Sequence, residues 1–237
     1  MGASSFSFKQ FTVFHDKCAM KVGTDGVLLG GFADVKNAKT ILDIGTGSGL
    51  IALMLAQRSI AQITAIDIDK DAVSQALFNV ANSPWPSRIQ VIESSLTNFK
   101  DSCTDKFDLI VSNPPFFTNS LKTPDELRTL ARHAESDFHH EICNAAQNLL
   151  QAEGRLVVIL PVVEGNLFVA YAQQVGLHCT QYVQVFPTPT TVVKRLLLEF
   201  SMQKSVCKHA SLVIESGTRH EYSPEFTEML QDFYLKL

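Results

Sequence analysis

From residue 40 onward, short apolar runs alternate with longer stretches in which apolar residues recur at helical spacing. The short runs predict buried strands at 40–44, 62–67, 88–93, 107–112 and 154–160. The longer stretches predict helices at 50–57, 70–82, 124–132, 137–151 and 164–175. The second, third and fourth of these helices have predicted N-caps, which are Asp69, Thr123 and Ser136. Strands that alternate with helices indicate a doubly wound parallel sheet of the α/β class.

The pattern changes after the last of these helices. Residues 177–186 and 193–200 are typical of two long strands, and the connection between them is too short for a helical crossover. These two strands are therefore expected to be antiparallel neighbours. A tail segment at 211–214 and a helix that opens at Ser223-Pro224 and runs to residue 237 complete the chain.

An N-terminal extension precedes the first core strand. Alternating apolar and polar residues at 6–13 predict a short strand or a hairpin arm. A loop around Gly23 and Gly26 then leads into a short apolar helix. A packing arm that closes one end of the sheet explains this extension at least as well as a functional segment does.

Composition favours one domain. The 237 residues are 46% apolar and 19% charged, which is enough to bury the core of one large α/β domain. No repeat, low-complexity tract or linker interrupts the chain. We therefore predict a single domain over 1–237, in which 1–35 form the N-terminal arm and 36–237 form the core.

The cysteines and the apolar runs bear on the compartment. Five widely spaced cysteines without a C-x-x-C pair indicate reduced thiols rather than a disulfide framework or a zinc site. No apolar run approaches the roughly 20 residues that cross a bilayer, and the first residues lack a signal-peptide pattern. We expect a cytoplasmic protein with no membrane partner.

Three glycines follow the first core strand in the spacing G-x-G-x-G, at Gly45, Gly47 and Gly49. The dinucleotide fingerprint G-x-G-x-x-G would need a glycine where Leu50 stands. The shorter loop suits a ligand without a pyrophosphate, such as an adenosyl group that carries an amino acid. A purely structural glycine turn is the alternative.

Two carboxylates accompany this loop. Asp43 stands just before it, where a carboxylate can hold the ammonium of such an amino acid, directly or through water. Asp67 ends the second core strand and is placed to accept hydrogen bonds from both ribose hydroxyls. An acidic strand end without a ligand is the alternative, but the distance of Asp67 from the loop favours a cofactor site.

The stretch Asn113-Pro114-Pro115-Phe116 ends the fourth core strand. Two prolines cannot continue a central strand, so the backbone leaves the sheet with the Asn113 side chain and the Pro114 carbonyl as fixed acceptors. Such acceptors orient a planar amine in line with a sulfonium methyl group. Phe116 would stack on a flat substrate. An Asn-Pro turn with a packing Phe is the alternative.

Together these motifs resemble the class I S-adenosylmethionine-dependent methyltransferases that act on amino groups. The segments 8–13 and 18–30, and the ending 222–237, are similar to those of the bacterial tRNA1(Val) adenine-N6-methyltransferases. The resemblance implies a Rossmann-like fold, S-adenosylmethionine as cofactor, and methylation of the exocyclic N6 amine of an adenine beside the anticodon of a valine tRNA. It implies no metal, and we expect a monomer.

The resemblance also implies residue roles. The catalytic set is Asn113, Pro114, Pro115 and Phe116, and the cofactor-binding set is Lys21, Thr24, Asp43, Gly45, Thr46, Gly47, Gly49, Asp67, Ile68, Ser95 and Asn113. Gly23 and Asp25 lie in the same cofactor-proximal loop as Lys21 and Thr24. The chain departs from related enzymes at two points: Ser94 and Ser95 stand where an Asp often binds the adenine amine, and Phe116 replaces a Tyr.

A formal net charge of −4 gives no chain-wide footprint for nucleic acid. A tRNA would therefore have to meet a local basic patch, which we expect to involve the N-terminal arm. The candidate cations are Lys9, Lys17, Lys21, Arg128, Arg132, Lys194 and Arg195. His139 and His140 are predicted to begin a helix and face solvent rather than bind a metal.

Other functions are compatible with parts of this pattern. The same loop occurs in enzymes that methylate guanine N2 of ribosomal RNA or a glutamine amide of release factors. A protein of another class would keep the fold as a catalytically silent RNA-binding module. A dinucleotide oxidoreductase is disfavoured by the glycine spacing.

Overall fold

A computed structural model describes residues 4–18, 21–115 and 125–236, and the side chains of 125–136 lie outside this description. An N-terminal hairpin of β1 (Ser5–Ser7) and β2 (Thr12–Phe14) precedes the main sheet. The predicted hairpin arm is thereby confirmed. Its turn packs on the far end of the chain, where the backbone N–H of Lys9 donates to the carbonyl of Phe233.

Within the described residues, eight strands form one sheet in the order β10-β8-β9-β7-β6-β3-β4-β5. Their bounds are β3 Thr40–Ile44, β4 Gln62–Asp67, β5 Ile89–Glu93, β6 Phe107–Ser112, β7 Leu150–Pro161, β8 His178–Phe186, β9 Arg195–Ser201 and β10 Lys208–Val213. All pairings are parallel except those of β9 with β7 and β8. The mostly parallel sheet with an antiparallel C-terminal pair is confirmed.

The helices are α1 Thr24–Phe32, α2 Leu50–Arg58, α3 Lys70–Ala81, α4 Leu96–Ser102, α5 Asp125–Leu149, α6 Val162–Gln174 and α7 Pro224–Leu230. Asp69 caps α3, since its side chain accepts a hydrogen bond from the N–H of Asp71. Ser223 caps α7 in the same way through the N–H of Phe226. The predicted cap Asp69 and the predicted start of the last helix at Ser223-Pro224 are confirmed, whereas the predicted cap Thr123 lies outside the described residues.

Three predictions about the helices are wrong, and one helix was missed. Residues 125–149 form one helix rather than two, because no glycine or proline interrupts them, and Ser136 therefore lies inside this helix rather than before the start of a second one. Helix α4 was not predicted. Gly26 lies inside α1, not in a loop before it. Helix α7 ends at Leu230, after which the N–H groups of Phe233 and Tyr234 turn back to the Leu230 carbonyl.

Hydrophobic side chains are buried on both faces of the sheet. On β3, Ile41 belongs to the cluster under α1 and α2, whereas Leu42 and Ile44 belong to the cluster under α5 and α6. This alternation is the one expected of a strand covered on both sides. Within the described ranges, no helix is long and apolar enough to cross a membrane. All five cysteines are free thiols.

Candidate active site

The glycine loop leaves the carboxyl end of β3 in a conformation that requires glycine. Gly45, Gly47 and Gly49 have φ angles of 71°, 56° and 81°, in the left-handed region where a Cβ atom is strained. The N–H groups of Gly45 and Thr46 both donate to the carbonyl of Ile66, at 2.9 and 3.0 Å. The loop is therefore anchored to the end of the neighbouring strand β4.

Asp67 holds this loop by its side chain. One carboxylate oxygen accepts a hydrogen bond from the N–H of Gly47 at 2.8 Å, and the other accepts from the N–H of Asp69 at 2.9 Å. A carboxylate has about four lone-pair positions, so two such bonds leave capacity for further donors. Asp67 can therefore support the loop and accept from ligand hydroxyls at the same time.

Asp43 lies behind the loop, fully buried. Its Oδ2 atom accepts hydrogen bonds from the Thr46 hydroxyl at 2.7 Å and the Ala52 N–H at 3.2 Å, whereas its Oδ1 atom has no partner among the described residues. Burial raises the pKa of Asp43 to about 7, with a smaller contribution from nearby Asp67. A contact between Asp43 and a ligand ammonium stays a prediction.

The Asn113-Pro114-Pro115 segment follows β6 directly. The Ser112 hydroxyl donates to the carbonyl of Ile44 at 3.0 Å, which fastens the end of β6 to the end of β3. The Oδ1 atom of Asn113 is buried and has no hydrogen-bond partner among the described residues. Phe116, the fourth residue of the predicted catalytic set, lies outside the described residues.

Two adjoining cavities open at this edge of the sheet and share Gly45, Gly47 and Asn113. Cavity A, of about 540 Å³, extends toward α1 and is lined by residues that include Lys21, Thr24, Asp25, Val185, Lys194 and Arg195. Cavity B, of about 430 Å³, extends toward α4 and is lined by residues that include Asp67, Ile68, Ser94, Ser95, Leu96 and Phe138. Both volumes lie within the roughly 300–1,000 Å³ of small-molecule sites.

Most of the predicted cofactor residues line one of these cavities. Lys21 and Thr46 line cavity A, whereas Asp67, Ile68 and Ser95 line cavity B. Asp43, Gly49 and Pro114 are in neither lining and support the site from behind or beside it. The carboxyl ends of β3, β4 and β6 thus bring together residues that the sequence separates widely.

The two serines after β5 have partners in the protein. The Ser95 side chain accepts a hydrogen bond from the N–H of Asn98 and so caps α4, and the Ser94 hydroxyl donates to the Ser95 carbonyl at 2.9 Å. Both residues line cavity B. Neither supplies the carboxylate that related enzymes often place here.

Sequence reasoning missed two buried amides on α3. The Gln75 side chain accepts from the N–H of Lys17 at 3.1 Å, and the Asn79 side chain exchanges two hydrogen bonds with the backbone of Phe14. One helical turn apart, they fasten the N-terminal arm beside the glycine loop. The available signal was two polar residues on the apolar face of α3, among Ala72, Ala76 and Val80.

The predicted basic patch is only partly available. Lys9 donates to the carbonyl of Gln231, and Lys17 lies 3.4 Å from the hydroxyl of Ser74. Arg195 forms an ion pair with Asp25 at 2.8 Å. The side chains of Arg128 and Arg132 lie outside the description.

The prediction that His139 and His140 begin a helix is wrong for both residues, and the prediction that they face solvent is wrong for His139. They lie inside α5, where His139 is buried against the edge of the Phe168 ring and His140 stacks on Tyr171. The long continuous helix turns this face toward α6. Among the residues whose side chains are described, no group of three or more His, Cys, Asp or Glu side chains is placed to hold a metal ion.

Comparison with known protein families gives one match that covers most of the chain. The model of the methyltransferase small domain matches residues 13–167. A Parabacteroides distasonis protein named tRNA1(Val) (adenine(37)-N6)-methyltransferase is 48% identical over 98% of both chains. A Trichodesmium erythraeum protein of the same name is 46% identical over 100% of both chains.

Solved structures give a more distant likeness. A predicted O-methyltransferase from Agrobacterium tumefaciens superposes with a TM-score of 0.68 at 18% identity, covering 88% of this chain and 96% of that one. The ribosomal protein L11 methylase of Lactobacillus delbrueckii subsp. bulgaricus gives a TM-score of 0.55 at 18% identity, covering 76% and 77%. At such identities the likeness concerns the fold alone, and it confirms the predicted Rossmann-like fold.

Proposed function

Because the chain belongs to the methyltransferase small domain family, together with relatives named tRNA1(Val) (adenine(37)-N6)-methyltransferase, we propose that it methylates the exocyclic N6 amine of an adenine in tRNA. The methyl donor in this proposal is S-adenosylmethionine. The substrate base is adenine 37 of a valine tRNA, as the relatives' name states for them. The chain would act as a cytoplasmic monomer folded as a single domain.

The residues of cavity B fit the adenosine part of this cofactor. Asp67 keeps lone pairs for the ribose hydroxyls beside Gly47, where an added Cβ atom would meet nothing within 4 Å. Ile68 is 74% exposed, and an adenine packed on it would remove that apolar surface from water. Leu96 and Phe138 supply further apolar walls. When bound, S-adenosylmethionine supplies an electrophilic methyl group on a sulfonium centre.

One observation carries the assignment to an amine substrate: the buried Oδ1 atom of Asn113, which has no partner in the described part of the chain, lies at the junction of the two cavities. A buried acceptor without a donor costs free energy, on the order of 1–3 kcal/mol. The N–H₂ group of adenine supplies that donor. The Pro114 carbonyl would take the second hydrogen, so that the nitrogen lone pair is fixed in direction.

Orientation would thus replace strong general-base catalysis. The Asn113 amide is not basic at neutral pH, so it holds the N6 hydrogens without removing one. The proton that N6 loses on methylation therefore passes to water. Phe116 is proposed to stack on the adenine once the base has left the helix stack.

The test is transfer of labelled methyl groups to tRNA, followed by nucleoside analysis. We expect N6-methyladenosine from the native protein and a loss of about 100-fold or more in kcat for Asn113→Ala, as when one preorganised polar contact to a reacting group is removed. Asn144→Ala is the matched control, because Asn144 is an exposed residue of α5. Cofactor affinity should stay close to that of the native protein in Asn144→Ala, and its measurement in Asn113→Ala separates the loss of kcat from a loss of cofactor binding, because Asn113 also belongs to the predicted cofactor-binding set.

Other outcomes would redirect the proposal. Label in ribosomal RNA or protein, but not in tRNA, would keep the chemistry and change the substrate. Cofactor binding without label in any of these would indicate a catalytically silent RNA-binding module. Equal kcat values in the Asn113 and Asn144 variants would show that Asn113 has no role in the reaction.

A further inference from the structure

The two cavities carry opposite charge. The charged residues that line cavity B in the described part of the chain are Asp67, Asp69 and Glu141, all carboxylates. Those that line cavity A are Lys21, Lys194 and Arg195, with the single carboxylate Asp25. Since the whole chain has a formal net charge of −4, cavity A stands out against the general field of the protein.

The carboxylate that lines cavity A, Asp25, already forms an ion pair within the protein. The Asp25 Oδ2 atom lies 2.8 Å from the Nε atom of Arg195, and both side chains are about three-quarters or more buried. The pair joins the first turn of α1 to the start of β9. Lys21 and Lys194 are exposed and form no ion pair with any described residue, so the rim of cavity A keeps two positive charges.

The interior of cavity A is apolar beneath this rim. Its apolar lining residues are Leu28 of α1, Leu50 and Ile51 of α2, Val185 of β8, and Pro187 and Ile214, each just after a strand. An apolar slot below two cations suits a flat base with phosphates on either side of it. A cationic cofactor, by contrast, is favoured by the carboxylates of cavity B.

We propose that cavity A is the face at which the RNA strand enters, with Lys21 and Lys194 contacting the phosphates that flank the methylated nucleotide. Lys21 belongs to the N-terminal arm and Lys194 to the connection between β8 and β9, so the strand passes between these two segments. Phosphate contacts position the RNA and do not select its sequence. This inference rests on the proposed function.

The experiment measures the dissociation constant of a valine tRNA transcript against salt concentration for Lys21→Glu and Lys194→Glu. Lys204→Glu is the matched control, because Lys204 is an exposed lysine beyond the opposite end of β9 and lines a different cavity with Glu153 and Glu199. Cofactor affinity is measured by calorimetry on the same proteins. A second readout is methyl transfer at saturating tRNA.

For each of the two rim variants we expect tRNA affinity to fall about tenfold or more at low salt, and the logarithmic salt slope to decrease by about 1. For Lys194→Glu, affinity for S-adenosylmethionine and the rate at saturating tRNA should match those of Lys204→Glu, whereas Lys21 also belongs to the predicted cofactor-binding set, so its variant is judged on tRNA affinity together with cofactor affinity. If the two rim variants bind tRNA as tightly as Lys204→Glu does, and the native protein still methylates tRNA, this inference is overturned but the proposed function is not. Weaker cofactor binding by Lys21→Glu would assign Lys21 to the cofactor instead. A native protein that methylates no tRNA would overturn the proposed function as well.

Discussion

The side-chain amide of Asn79 donates a hydrogen bond to the carbonyl oxygen of Ser48, 2.8 Å away in the glycine loop. The same nitrogen also donates to the carbonyl of Phe14, so one buried residue of α3 joins the N-terminal arm to the loop. The arm and the loop are 34 positions apart (48 − 14) and form no common strand pair. Their relative position therefore depends on a side chain that belongs to neither.

Replacing Asn79 by Ala should loosen both segments together. The change leaves backbone groups of Phe14 and Ser48 without their partner, and each buried unsatisfied group costs about 1–3 kcal/mol. We expect lower stability in urea unfolding, faster proteolysis of the arm and weaker S-adenosylmethionine binding. Asn82→Ala, at the exposed end of the same helix, is the control. Equal cofactor affinities in the two variants would contradict this connection.

Gly47→Ala should reduce cofactor affinity by more than its effect on stability explains. The φ angle of Gly47 is 56°, so the variant loses about 1–2 kcal/mol to backbone strain. Gly176 offers a matched control, since its φ is 83° and an added Cβ atom also meets nothing within 4 Å. We expect similar destabilisation in both Ala variants by urea unfolding. Calorimetry should show a loss of S-adenosylmethionine affinity in Gly47→Ala alone, and an equal loss in Gly176→Ala would refute a local role.

Asp43→Asn should remove a pH dependence of stability. Burial raises the pKa of Asp43 to about 7, whereas in the unfolded chain this carboxyl group ionises with its ordinary pKa of 3.8. Between these two pH values the folded protein keeps Asp43 protonated and the unfolded chain does not. The contribution of Asp43 to the free energy of unfolding therefore falls by about 1.4 kcal/mol per pH unit across that window and is constant above it. Compared with the native protein, the Asn variant should gain stability between pH 5 and pH 7 in urea unfolding. A stability difference that is the same at both values would show that Asp43 does not titrate in this range.

His139 should destabilise the protein in acid. Burial lowers its pKa below the ordinary 6.5, although Glu164 opposes this shift, so the unfolded chain binds a proton more readily than the folded one. Its stabilising contribution is complete above 6.5 and is lost as pH falls toward the folded pKa. His139→Leu should flatten stability between pH 7 and pH 5. His220→Asn is the control, because Asn tolerates the φ of 68° found there, and an equal flattening in it would exclude His139 as the cause.

The elements that apolar runs and local caps define could be predicted from the sequence. Strands β3, β4 and β6 have the predicted bounds, because buried parallel strands are short and continuous in apolar residues. Helix α4 has seven residues, too few for a periodic signal, and was missed. The predicted helix break before Ser136 was wrong because local sequence does not distinguish a serine inside a continuous helix from a serine that caps a new one.

Some features of the site could likewise be predicted from the sequence, and others could not. Gly45, Gly47, Asp67 and Asn113 lie at strand ends, so their proximity follows from the parallel sheet. The ion pair of Asp25 with Arg195 joins residues 170 positions apart, and nothing in either local sequence indicates it. The sequence signals the burial of Asn79 only as a polar residue on the apolar face of α3, and its partners in the arm and the glycine loop follow from tertiary packing. Interactions of this kind decide which candidate cations stay available, and local pattern cannot supply them.

The packing of the N-terminal hairpin on the far end of the chain has a consequence for the timing of synthesis. Lys9 bonds the carbonyl of Gln231, 222 positions later. At elongation rates of about 5–20 residues per second, roughly 10–45 s separate the synthesis of these two residues. The arm therefore emerges from the ribosome early and reaches its final position late. A nascent chain on the ribosome would have its central sheet before it has a complete active site.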